Sequence, residues 1–189
     1  FDLININDFK INYTLETYIN YESNIKDIHA EMEPGGTRTI INGFLKNDLP
    51  KYNIYFGDID DKVFENFKNK HYELAQKETK SELCWNIMKK SFIDKEYLMI
   101  ESNNNFVVFI VSEDYCYYGY NACTRKDKIV SFLLYQGIKW LTENNYKYIH
   151  FDSLSKYYEN LSKNYFIANH KKSFCNKIYA QFYLKKNII

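Results

Sequence analysis

Three cations within four positions, Arg125, Lys126 and Lys128, stand at the N-terminus of a run that reads as a long helix. A helix N-terminus presents unpaired backbone N–H groups and the positive end of the peptide dipole, so cations placed there reinforce a field that draws an anion such as phosphate. Ser131 follows inside the same first turn. The alternative is that these are solvated residues of an ordinary strand-to-helix loop. Asp152 is a second candidate, closing the short apolar run Lys147-Tyr-Ile-His-Phe-Asp152. A strand-end carboxylate can act as a general base, or it can cap the next turn over Ser153 and Ser155.

Other chemistries lack their residues. His29, His71, His150 and His170 have no ligand-type spacing, and Cys84, Cys116, Cys123 and Cys175 form no C-x-x-C pair, so neither a metal site nor a disulfide framework is expected. His170 and Cys175 lie five residues apart in what reads as a loop, which fixes no geometry for a nucleophile and its base. A phosphate loop of the G-x-x-x-x-G-K type is absent, as is any Ser-His-Asp context.

The elements that would position these residues follow from periodicity. Pro34-Gly-Gly-Thr37 signals a turn and a helix start, and Arg38 to Leu45 follows as a short helix. Tyr52 to Phe56 alternates as a strand, while Asp60 to Leu74 and the run from Ser81 to Met88 keep helical spacing. Three strands come next, Tyr97–Ile100, Phe106–Val111 and Tyr115–Tyr120, the first two joined by an Asn-rich turn of hairpin type. The middle strand is apolar on both faces, which places it centrally in a sheet covered on both sides. Asp127 to Glu143 is the long helix, Lys147 to Asp152 a buried strand, Ser155 to Phe166 helical in part, and Ile178 to Leu184 a final strand. Ile4 to Leu15 reads as an edge strand with a loop, and Tyr18 to Met32 as weakly helical.

Composition sets the frame. At 189 residues with 46% hydrophobic content and two prolines, the chain is sized for one globular domain, with 1–33 as a poorly defined N-terminal segment. Nineteen tyrosines and fourteen phenylalanines accompany abundant Lys, Asn and Ile, a bias typical of AT-rich coding, so the aromatics alone do not imply a surface for stacking bases. A net charge of +1 gives no overall field to recruit a polyanion. The absence of any apolar run of about 18 residues argues against a membrane-spanning helix, and the scattered thiols suit a cytoplasmic protein. Phe1 in place of an initiator Met suggests a processed, trimmed or excerpted chain.

An antiparallel meander, a long helix, then strand, helix and strand resembles the GNAT acyltransferase fold, an α/β (α+β) architecture with a mixed, mainly antiparallel twisted sheet flanked by helices on both faces. Particular residues point to its Fem-like, peptidoglycan-bridge branch. Phe132 to Asp152 is similar to that family's helix followed by "G-y-k-y-f-D", His170-Lys-Lys-Ser-Phe-Cys175 resembles its "F-K-x-x-F-G", and Thr37-Arg-Thr-Ile-Ile41 resembles its early Arg-bearing helix. The resemblance covers about 37–184. It implies transfer of an acyl or aminoacyl group from acyl-CoA (acetyl-CoA) or aminoacyl-tRNA to a small-molecule amine such as a cell-wall precursor or amino sugar. By the same resemblance Lys171 stabilises charge on the carbonyl oxygen or binds substrate phosphate, Asp152 serves the amine, and Tyr165 protonates the leaving group. Arg125, Lys126, Lys128 and Ser131 would hold the donor, and no metal is required. His170 and Cys175 depart from the pattern, and the Gly-x-Gly that GNAT enzymes wrap around the CoA pyrophosphate is missing. An ordinary acetyl-CoA-dependent acetyltransferase and a non-catalytic GNAT-like binding module are the competing readings.

Overall fold

The computed structural model describes residues 9–20, 24–32, 36–47, 49–113, 115–124, 128–146, 148–153, 163–175 and 177–186. In chain order these form β1 (Phe9–Asn20), α1 (Ile25–Glu31), α2 (Thr37–Lys46), β2 (Asn53–Phe56), α3 (Asp61–Ala75), α4 (Glu82–Ile93), β3 (Tyr97–Ser102) and β4 (Asn105–Val111), then β5 (Tyr115–Ala122), α5 (Ile129–Glu143), β6 (Tyr148–Ser153), α6 (Lys163–Lys172) and β7 (Lys177–Lys186).

Local chemistry sets most boundaries. Asn24, Asp60 and Ser81 each accept backbone N–H bonds into the first turns of α1, α3 and α4, supplying partners that a helix start otherwise lacks. The β3–β4 hairpin turns on Asn103 and Asn104, at φ 48° and 59°, a left-handed pair whose twist matches the flanking strands.

The seven strands run β2-β3-β4-β5-β6-β1-β7, and every neighbouring pair is antiparallel except β5 and β6. Two apolar layers lie on the two faces of this sheet. On one, Leu98, Ile100, Val107, Phe109, Ile149 and Phe151 pack with α5, α2 and α1. On the other, Met99, Phe106 and Val108 pack with Phe64, Phe67, Trp85 and Phe92 of α3 and α4. The expected α/β sheet flanked on both faces is therefore the architecture observed, with β4 inside it as its two-sided apolar pattern requires.

The N-terminal segment corrects the sequence reading. The strand expected at Ile4 to Leu15 runs from Phe9 to Asn20 and is not an edge: it pairs with β6 on one side and, from Phe9 to Tyr18, with β7 on the other. Its central place rests on partners more than a hundred residues away, which local pattern does not encode. Among the described residues of the weakly helical stretch, Ile25–Glu31 forms a helix. The helix expected over Ser155 to Phe166 falls mostly outside the described residues. The helix that follows, α6, extends to Lys172, so His170 and Lys171 lie in its last turn and not in a loop.

Candidate active site

The parallel pair β5 and β6 is joined only at its start. Tyr115, Cys116 and Tyr117 pair with Tyr148, Ile149 and His150, and there the ladder ends. Beyond that point β5 continues along β4 to Ala122, while β6 continues along β1 to Ser153. Among the described residues the β5–β6 ladder does not extend past these three pairs, which leaves the β6-facing edge of β5 from Tyr118 onward outside it, at the mouth of a V between the two strands.

A β-bulge in the β4–β5 ladder lies at the same point of β5. The β4 register jumps between Val108, opposite Tyr120, and Phe109, opposite Tyr118, leaving Gly119 as the extra residue. A bulge bends its strand and re-aims the side chains that follow. Cys116 and Tyr118 face the α5 layer, but Tyr120 and Ala122, which simple alternation would put beside them, pack in the α3–α4 layer. Gly119 suits the position, since a Cβ there would stand 3.0 Å from the Ile110 side chain.

Tyr118 and Phe151 are the first residues past the last ladder pair, and their rings meet 5.6 Å apart at the apex of the V. Phe174, just past α6, stacks on Phe151 at 5.9 Å and 5°. Lys171, in the last turn of α6, holds its Nζ 5.8 Å from the Tyr118 ring centroid. Asn121 Nδ2 donates to the Tyr118 hydroxyl, and burial pushes that phenol well above its ordinary pKa, so it remains protonated and able to donate.

A hydroxyl relay links α6 to the start of α2. The Ser173 hydroxyl donates to the His170 carbonyl at 2.6 Å, so the short contact between Ser173 and Thr37 is made by the Thr37 hydroxyl donating to Ser173 Oγ. Two segments that carried the family resemblance, at Thr37 and at His170 to Cys175, are thus neighbours in space. His170 packs edge-on against Phe174, and burial lowers its pKa, leaving the imidazole neutral near pH 7.

The other anticipated residues are placed as follows. Lys128 is the exposed N-cap of α5, in the left-handed conformation at φ 51° and without a side-chain capping bond. Ser131 is buried in the first turn, its N–H bonded to the Lys128 carbonyl at 3.1 Å. In chain order α5 is the element that follows β5. Arg125 and Lys126 fall outside the described residues. Asp152 follows Phe151 on β6, and Tyr165 lies in the first turn of α6, with both side chains outside the description. Sequence reading missed Tyr118 among nineteen tyrosines; the signal available was Gly119, an isolated glycine within a strand pattern. Cys123 is also near this end, but burial raises its thiol pKa to about 12, which removes it as a nucleophile.

A broad open groove of about 1060 Å³ lies at the other end of the sheet, lined by Lys95, Glu96, Tyr97, Glu113 and Asn145 among others, and it contains none of these groups. Among the described residues no cluster of three or more His, Cys, Asp or Glu is placed to hold a metal ion, and no helix is long and apolar enough to cross a membrane.

The sequence matches no family model and no curated protein. Solved structures match in shape. The C-terminal DUF2156 domain of a protein described as a lysylphosphatidylglycerol synthetase from Agrobacterium fabrum superposes with a TM-score of 0.63 at 9% identity, covering 96% of this chain and 63% of that one. L-PGS from Bacillus licheniformis gives 0.62 at 11% identity with the same coverages, and FemX gives 0.59 at 10%, covering 91% of this chain and 59% of that one. This chain thus spans about three-fifths of the length of each. At these identities the likeness is one of fold alone.

Proposed function

We propose that this protein is an N-acyltransferase that moves an acyl or aminoacyl group from an activated donor to an amine. The observation that supports the reading is the early end of the β5–β6 ladder, with the Lys171 Nζ 5.8 Å from the ring of Tyr118, the first β5 residue past that end. A carbonyl inserted there meets the β6-facing edge of β5. As the amine lone pair attacks, the C=O π pair moves onto oxygen, and the nearby backbone groups and the Lys171 ammonium stabilise the oxyanion. Collapse breaks the bond to the donor's sulfur or oxygen. Asp152 takes the proton lost by the new amide nitrogen, and Tyr165 supplies one to the leaving group, with the Tyr118 hydroxyl as a second donor at the apex.

The donor carries phosphate, as acyl-CoA and aminoacyl-tRNA both do, and Arg125, Lys126, Lys128 and Ser131 at the start of α5 receive it. Without Gly-x-Gly the grip depends more on charge than on close backbone approach. Likeness to FemX and L-PGS favours an aminoacyl group and the Fem-like branch, with a cell-wall precursor or amino sugar as acceptor and the cytoplasm as the setting.

Incubation with radiolabelled aminoacyl-tRNA or acetyl-CoA, each with an amino sugar and with a lysine-containing muropeptide, tests the proposal. Product from one donor, lost in Lys171→Ala and Asp152→Asn, is expected. Activity unchanged in both variants would refute the site. Binding of both donors with no transfer would favour a non-catalytic binding module, and transfer from acetyl-CoA alone would favour an ordinary acetyltransferase.

A further inference from the structure

On the sheet face opposite α5, a lysine ammonium is held between two aromatic rings. Lys80, on the loop joining α3 and α4, places its Nζ 5.5 Å from the Trp85 ring centroid and 4.8 Å from that of Tyr120. Trp85 is fully buried and fixed in orientation: its indole N–H donates to the Tyr72 hydroxyl, and Phe64, Phe67 and His71 pack edge-on around it. Tyr120 faces this layer because of the Gly119 bulge, and Tyr97 lies against it at 6.3 Å. The box is therefore built by rigid elements, with one wall from α4 and the other from β5.

Its chemistry does not suit the group that fills it. A primary ammonium has three N–H donors that favour oxygen acceptors, yet none of the ion pairs among the described residues includes Lys80. Two π faces without a carboxylate are what an alkylated ammonium, with few or no N–H groups and a soft, weakly hydrated charge, binds best. The lysine is also removable. It arrives on a polar connection, Gln76 to Ser81, which is anchored at this point by the Tyr72 hydroxyl donating to the Lys80 carbonyl at 3.2 Å, a backbone contact that does not need the side chain.

We propose that the space between Trp85 and Tyr120 is a binding site for a methylated ammonium group, which Lys80 occupies as an internal surrogate and which the ligand enters by displacing the Lys80 side chain. The inference is independent of acyl transfer, because the box lies on the other face of the sheet from Lys171 and is defined by its rings alone.

Trp140→Phe leaves Trp85 as the sole tryptophan, so its emission reports on the box. In that background, tetramethylammonium chloride is titrated against the chain with Lys80, Lys80→Ala and Lys80→Gln, with sodium chloride at matched ionic strength as the control. Binding about tenfold tighter in both Lys80 variants than in their parent is expected, as is loss of that gain on adding Tyr120→Leu. The near-UV circular dichroism band of Trp85 confirms that each variant keeps the indole packed. If the Lys80 variants respond to tetramethylammonium no more than to sodium, or if Tyr120→Leu leaves the affinity unchanged, the proposal is overturned.

Discussion

The Lys171 ammonium lies 5.8 Å from the ring centroid of Tyr118, which joins the last turn of α6 to the point where β5 leaves β6. The contact itself contributes about 0.5–1 kcal/mol to stability. Its larger consequence would be for chemistry, where a cation at a developing oxyanion is worth about 10²–10³ in rate. Lys171→Ala should therefore lower turnover by that factor while moving the urea midpoint little, and Lys171→Arg should recover part of the rate. Equal losses in stability and turnover would reduce Lys171 to a packing residue.

The relay from Thr37 to Ser173 to the His170 carbonyl predicts unequal losses. Thr37→Val removes one donor and leaves Ser173 still bonded to the carbonyl, at about 1 kcal/mol. Ser173→Ala strands both the Thr37 hydroxyl and the His170 carbonyl in a buried setting, at about 2–3 kcal/mol. Urea unfolding of the two variants decides the order, and a larger loss for Thr37→Val would contradict the direction assigned to the relay.

What the sequence made legible tracks how local the cause was. The capped helices α3 and α4, the Asn103-Asn104 turn and the two-sided apolar β4 each follow from residues within a few positions of one another, and all are found. The placement of β1 between β6 and β7 follows from pairing across most of the chain, and the face that Tyr120 presents follows from one bulged glycine that reverses the alternation of β5. Lys171 was singled out only through family resemblance, and its neighbour Tyr118 was obscured by a composition in which tyrosine is common.

Gly137 is where α5 rests on the sheet. A Cβ there would come within 2.2 Å of the Phe109 ring, which is fully buried and cannot swing aside. Gly137→Ala should cost about 1–3 kcal/mol despite the better helix propensity of alanine. Phe109→Leu in the same chain should return part of that loss, and a double-mutant cycle by urea unfolding measures the coupling. Additive losses would mean that α5 shifts as a body to make room.

Three histidines give the stability a common pH dependence. Burial lowers the pKa of His29, His71 and His170 below the ordinary value of 6.5, with Arg38 adding to the effect at His29 and Lys80 at His71. Below pH 6.5 the unfolded chain binds protons that the folded chain refuses, so stability is complete above that pH and falls as the pH drops toward the folded-state values. Urea midpoints should decline from pH 7.5 to pH 5.5. His170→Leu, which removes the most enclosed imidazole of the three, should flatten the decline, whereas an unchanged slope would remove His170 from the account.

Lys128 separates stability from ligand binding at the start of α5. A residue with a Cβ at φ 51° bears a steric cost that glycine avoids, although glycine loses more backbone freedom on folding. Lys128→Gly should therefore leave thermal stability within about 1 kcal/mol of its starting value or raise it slightly. The same change deletes one cation from the proposed phosphate-binding turn, so affinity for CoA or tRNA should fall, with a shallower dependence on salt. Lys128→Gln removes the charge while keeping the Cβ, and should weaken the anion to the same degree without the conformational relief. If Lys128→Gly binds either donor as tightly as the parent across a salt titration, the cations at this turn are solvated loop residues, and the donor's phosphates must be held elsewhere.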